Sequence, residues 1–129
     1  MTVHNIASID QYKETIAKHP LVLLDAFATW CGPCKAIAPL LAKWAEDPEF
    51  KDDVHFAKFD VDAVPDLAQE LGIRAMPTFF VFKDGEKVGD LLGANPGALL
   101  NLIKKFQAGK TEEAGKTEEA GKTEKPTNE

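Results

Sequence analysis

The chain has 129 residues, 15 Lys plus Arg against 21 Asp plus Glu, and 44% hydrophobic residues, which is material for one domain. A net charge of −6 argues against a protein that lives on nucleic-acid phosphates or anionic membranes, since both require a basic footprint. Two cysteines allow at most one intrachain bridge, so the chain is no disulfide-stapled scaffold, and a closed four-ligand zinc site would have to recruit histidines. Met1 to Pro20 has charged and polar residues interspersed throughout and lacks the continuous apolar core of a signal peptide, and no stretch approaches ~18 apolar residues; together these read as a soluble, cytoplasmic protein.

A short strand is expected near Thr2–Ile6. Ser8 followed by Ile9, Tyr12 and Ile16 predicts an N-capped amphipathic helix that ends near His19, because Pro20 drives its predecessor out of helical geometry. Leu21–Ala28 is a continuous apolar run broken by one acid, Asp25, the pattern of a strand buried on both faces. From Pro33 to Ala45 the residues Ile37, Leu40, Leu41 and Trp44 recur at helical spacing, with Pro33 suited to a first turn and Pro39 predicting a kink. A second strand runs from Val54 to Asp60, a short helix from Pro65 to Leu71, and Thr78–Phe82 is a further strand. The Asp84-Gly85 pair joins that strand to Lys87–Leu92 as an antiparallel hairpin. Asn95-Pro96 opens a last helix whose buried side is Leu99, Leu100, Leu102, Ile103 and Phe106. The order βαβαβαββα implies an α/β fold: a central mixed β-sheet, parallel crossovers plus an antiparallel edge, with helices on both faces.

Composition changes after Gln107. Ala108-Gly-Lys-Thr-Glu-Glu113 recurs at 114–119 and, without its last residue, at 120–124; nothing there is larger than Ala to bury. Residues 1–107 are therefore expected to fold, and 108–129 to form a low-complexity tail, disordered or a fraying helix running out of the domain. Gly115-Lys116-Thr117 after Gly109 imitates the end of a phosphate-binding loop, but five residues separate the glycines instead of four and no strand precedes them.

Trp30-Cys31-Gly32-Pro33-Cys34-Lys35 sits where the buried strand gives way to the long helix. This hexapeptide closely resembles the active-site motif of thioredoxins. The resemblance extends across residues 1–107, through Asp25 before the cysteines, Pro39 in the following helix, Lys58 on the next strand, Ala75-Met76-Pro77-Thr78 before the hairpin, and Gly85 and Gly93 around it. It implies the thioredoxin fold and a protein-disulfide reductase with no bound cofactor, whose redox-active Cys31–Cys34 disulfide is recharged by a thioredoxin reductase. Its partners would be that reductase and client proteins with disulfides, not nucleic acid or a membrane, and the chain would be a monomer.

The residues themselves suit this chemistry. A Cys at a helix N-terminus gains from unpaired N–H groups and the positive end of the macrodipole, so Cys31 is placed to be a thiolate nucleophile. Cys34 stands one turn along, within reach of it. By the resemblance, Cys31 attacks the client disulfide, Cys34 resolves the mixed disulfide, and Asp25 takes the Cys34 proton, its basicity raised by burial. Lys58 is either the partner of Asp25 or an edge lysine facing solvent, since the strand pattern alone does not orient it.

The resemblance also implies a cis proline at Pro77, with the Met76 backbone free to pair with an extended client segment. Trp30 reads from its residue type as core or rim; the resemblance favours the rim, where Trp30, Gly32, Pro33, Met76, Gly93 and Ala94 would form a shallow, mostly uncharged docking patch. Pro39 and Phe27 are taken as structural. Some relatives carry Phe-Trp after the buried acid where this chain has Ala26-Phe27. Three rivals remain: a metal module joining Cys31 and Cys34 to His4, His19 or His55; a disulfide isomerase or oxidase on the same fold, against which the Gly-Pro dipeptide resembles reductases; and a non-catalytic binding or chaperone subunit using the same surface.

Overall fold

A strand that exposes almost nothing must be covered on both faces, and Leu21 to Ala26 are all buried. The computed structural model describes the backbone of residues 3–115 and the side chains of residues 3–108. Its elements are β1 (Val3–Asn5), α1 (Ile9–Lys18), β2 (Leu21–Phe27), α2 (Gly32–Glu46), β3 (His55–Asp60), α3 (Pro65–Glu70), β4 (Thr78–Lys83), β5 (Glu86–Leu92) and α4 (Pro96–Gly115). This is the expected order. The strands form one sheet, β1-β3-β2-β4-β5, in which β1, β3 and β2 are parallel while β4 and β5 run antiparallel to their neighbours.

The central strand divides the core. Leu21 and Leu23 face Ile37, Leu41 and Trp44 of α2 and Leu99 and Ile103 of α4. Val22, Leu24 and Ala26 face the other way, toward Tyr12 of α1 and Leu67 of α3. Residue 25 therefore lies on the α2/α4 face by the two-residue period of a strand. The register sets Asp25 beside Lys58 on β3 and Phe79 on β4.

Local signals account for the element ends. Ser8 Oγ accepts the Gln11 N–H at 3.1 Å, and Gln11 Oε1 reaches back to accept the Ala7 N–H at 2.8 Å, a reciprocal cap at the start of α1. Asp84 and Gly85 both have positive φ, 52° and 87°, the backbone that a two-residue hairpin turn requires. Asn95 Oδ1 accepts the Ala98 N–H at 3.0 Å and caps α4. The helix α2 continues through Pro39, whose missing N–H leaves the Lys35 carbonyl without that donor.

Past the core-facing residues near Gln107, α4 continues eight residues into the repeats, to Gly115. A helix already nucleated and docked adds residues cheaply, and Ala, Lys and Glu are good helix formers. The expected disorder of 116–129, like the placement of Thr2 in the first strand, lies outside the described residues. Among the residues whose side chains are described, α4 is last anchored at Gln107, whose side-chain amide donates to the Glu49 carbonyl at 2.6 Å and to Asp53 Oδ2 at 2.9 Å.

Gly89 on β5 lies under α4, where an added Cβ would stand 3.0 Å from Phe106 Cε2 and 3.3 Å from Leu102 Cδ1. Gly89→Val therefore pushes α4 off the sheet edge and is expected to cost roughly 1–3 kcal/mol. Thermal unfolding should show a midpoint lowered by roughly 4–8 °C per kcal/mol lost for a domain of this size.

Candidate active site

The loop leaving β2 turns into α2 at Cys31, which holds the N-cap position with φ −90° and ψ 112°. Its Sγ accepts the Cys34 N–H at 3.2 Å, so a sulfur fills the place where a serine or aspartate oxygen usually caps a helix. Cys31 and Cys34 are both buried and joined by a disulfide, with Cα atoms 5.3 Å apart. On reduction, a thiolate at Cys31 would keep that N–H donor and the positive end of the α2 dipole, both of which favour the charged form.

Opposite the disulfide stands the turn before β4. The Met76–Pro77 peptide bond is cis, and the Met76 carbonyl oxygen lies 3.6 Å from Cys31 Sγ. Thr78 Oγ1 donates to the Ala75 carbonyl at 2.7 Å, and the Gly93 N–H donates to the Pro77 carbonyl at 2.9 Å. That second bond ties the end of β5 to the proline turn. Gly93 has φ 98°, a conformation that favours glycine.

The rim carries the most exposed large apolar side chains. Trp30 is 66% exposed and its Nε1–H donates to Asp62 Oδ2 at 2.8 Å, which orients the indole beside the cysteines. Gly32 and Pro33 are exposed; Met76, Gly93 and Ala94 are half-buried. Leu92, 65% exposed, extends this rim next to Gly93. Neither Asp62 nor Leu92 figured in the sequence reading: the first is joined to Trp30 only by the fold, and the second alternates outward on an edge strand that reads as ordinary hairpin.

Beneath the disulfide, Asp25 is 4% exposed and its Oδ1 has no hydrogen-bond partner. Burial pushes its carboxyl up from 3.8 to about 7, against the opposing pull of the Lys58 charge. Lys58 is half-buried on the neighbouring strand, and its Nζ stands over the Phe27 ring, 5.6 Å from the centroid. A cavity of about 240 Å³ is lined by Asp25, Phe27, Cys34 and Lys58, among others. Acid, resolving sulfur and cation thus share one space, although no two of them are close in sequence.

The histidines of the rival metal reading are elsewhere. His55 starts β3 level with Val22, some five residues down β2 from Phe27, or roughly 17 Å at 3.3 Å per residue. His55 stacks on His19 with centroids 3.7 Å apart and on His4 at 4.6 Å, the ring planes within 8° of parallel. Parallel rings direct their lone pairs side by side, and among the described residues no three His, Cys, Asp or Glu side chains are placed to hold a metal ion. Burial first, and then neighbouring positive groups, push His55 down to about 4 and lower His19 as well.

A family model described as thioredoxin matches residues 3–105. Among curated proteins, Thioredoxin-2 of Pyricularia oryzae is 53% identical over 103 residues, which is 80% of this chain and 58% of that protein. Thioredoxin of Coprinus comatus is 43% identical over 106 residues, 82% of this chain and 99% of the relative. Among solved structures, the thioredoxin Mala s 13 of Malassezia sympodialis superposes with a TM-score of 0.77 at 44% identity, covering 82% of this chain and 91% of that one.

The Asp25 carboxyl yields a stability prediction with a definite sign. Below the unfolded value of 3.8 it is neutral in both states and indifferent to pH. Between there and about 7 the folded state holds a proton that the unfolded state has released, so stability is lost as pH rises and levels off above the folded value. At 1.36 kcal/mol per unit, Asp25→Asn should gain on the parent by on the order of 4 kcal/mol between pH 4 and pH 8. Urea unfolding of both proteins across that range measures it; a constant difference would contradict the buried, unpaired carboxyl.

Proposed function

Because the chain belongs to the thioredoxin family, it is a thiol–disulfide oxidoreductase, and we propose that it reduces client disulfides with Cys31 as nucleophile and Cys34 as resolving thiol. The observation that carries this reading is the buried Cys31–Cys34 bond at the α2 N-terminus, directly above the cavity that holds Asp25. In the reduced protein the Cys31 thiolate attacks one sulfur of the client bond and expels the other as a thiolate. Asp25 then takes the Cys34 proton across the cavity, and the Cys34 sulfur attacks Cys31 Sγ. The Cys31–Cys34 bond forms, the mixed disulfide breaks, and the client leaves with both electrons as two thiols. Lys58 tempers the basicity of Asp25, since its positive charge favours the ionised carboxylate.

Docking would use the rim. Trp30, Gly32, Pro33, Gly93 and Ala94, with Leu92 added, offer an apolar surface without a deep pocket, suited to many protein segments rather than one small molecule. Met76 presents backbone groups beside Cys31, and Pro77 withholds an N–H there, so an extended client strand can align its own disulfide with the nucleophile. The family acts with reductases and disulfide-bearing clients; a thioredoxin reductase is the proposed electron donor, and the cytoplasm the proposed location. Among the described residues no helix is long and apolar enough to cross a membrane. The working unit is residues 1–107.

Insulin-disulfide reduction driven by NADPH and a thioredoxin reductase tests the assignment. Cys34→Ser should lose turnover and accumulate a covalent adduct between Cys31 and the client, visible by mass spectrometry and released by dithiothreitol. Product release at the parental rate would refute the assigned roles. A chain ending at Gln107 should match the full chain in rate, and a clear loss would bring the repeats into the function.

A further inference from the structure

Asp25 and Lys58 are register partners on adjacent strands, and among the described residues Lys58 is the charge that opposes the burial of Asp25. They nevertheless do not meet. Asp25 Oδ1 is left without a donor, while the Lys58 ammonium stands over the face of Phe27 at 5.6 Å. Phe27 ends β2 two residues after Asp25 and so shares its face of the sheet. Both line the same cavity of about 240 Å³, which leaves the lysine room to swing inward. In a poorly solvated site a carboxylate attracts an ammonium strongly. The opposing element is the ring, whose quadrupole attracts the cation and whose body occupies the edge of the cavity.

We propose that Phe27 is a positioning residue for the resolution step: its ring face holds the Lys58 ammonium off Asp25, which keeps the carboxyl a usable base for the Cys34 proton. The inference rests on Asp25 being that proton acceptor. Contact with the ammonium would turn Asp25 into an ion-paired carboxylate with a proton affinity lowered by about 1–3 pH units, too weak a base for a thiol. With no cation nearby, burial would leave it protonated at neutral pH and unable to accept. Standing over Phe27, Lys58 acts through space between these extremes, where proton transfer at neutral pH is most efficient.

Two replacements separate the ring face from its bulk. Phe27→Leu removes the π face and keeps an apolar side chain, whereas pentafluorophenylalanine at position 27 keeps the shape and inverts the quadrupole. The readouts are the Asp25 carboxyl titration followed by carbon-13 NMR and the pH profile of mixed-disulfide resolution in single turnovers. Both variants should lower the Asp25 titration by about one pH unit or more and slow resolution several-fold at pH 7, with Phe27→Trp restoring the parental profile. In a Lys58→Met background the same replacements should leave Asp25 where it is, because the effect passes through the lysine. An Asp25 titration unchanged or raised in both variants, or a shift that persists without Lys58, overturns the proposal. If Asp25→Asn resolves at the parental rate at every pH, the acceptor role fails instead, while the titrations still decide whether Phe27 holds Lys58.

Discussion

The first turn of α2 ends on a sulfur, and the chemistry of the site depends on that bond. Four N–H groups at a helix start have no intrahelical acceptor, and a protein normally satisfies one of them with a side-chain oxygen. Here the Cys34 N–H goes to Cys31 Sγ. A neutral thiol or a disulfide sulfur is a weak acceptor and a thiolate a strong one, so the cap tightens when Cys31 is ionised. The helix thereby favours the reactive form of the cysteine, and it does so with rigid backbone that the core holds through Ile37, Leu41 and Trp44.

The second cysteine has the opposite need. Cys34 is buried beneath the rim, where an apolar setting disfavours its thiolate; in the proposed mechanism it loses its proton only when Cys31 is engaged. In the proposed resolution step the base would come from the sheet, which carries a carboxyl in its most completely buried strand. An unpaired charge there is unfavourable, and the position is tolerable because the group can be neutral through part of the working pH range. Lys58 and Phe27 line the same cavity, so in the proposed mechanism the tuning of that acid belongs to two strands, β2 and β3, rather than to the loop that bears the cysteines.

Much of this architecture can be read from the chain. Ser8, Pro20, Asp84-Gly85 and Asn95-Pro96 mark element ends by local backbone preferences, and the apolar run around Asp25 announces a buried acid near the cysteines. Other features depend on pairings that periodicity does not contain. The direction of Lys58 becomes definite only when Phe56 is seen to face α2 and β3 is set in register with β2. Asp62 reaches Trp30 across 32 residues of chain, and Phe27, which reads as plain core, is half-buried with a cation over its face. The three histidines look scattered at 4, 19 and 55 until the sheet stacks them at the end remote from the disulfide. Composition leaves the first repeats as either disorder or a helix running out of the domain; the docked part of α4 supplies the nucleus that the repeats lack, and the helix continues to Gly115.

The course of α4 also settles which way the molecule can be held. The helix begins just after Gly93-Ala94, at the exposed rim, and Gln107 is fastened to Glu49 and Asp53 in the connection that leads into β3, at the pole opposite the cysteines. From there α4 continues away from the cysteines to Gly115. A support or neighbouring molecule attached at the described end of α4 would leave the disulfide facing outward, so that clients reach it as freely on a tethered copy as on one diffusing alone.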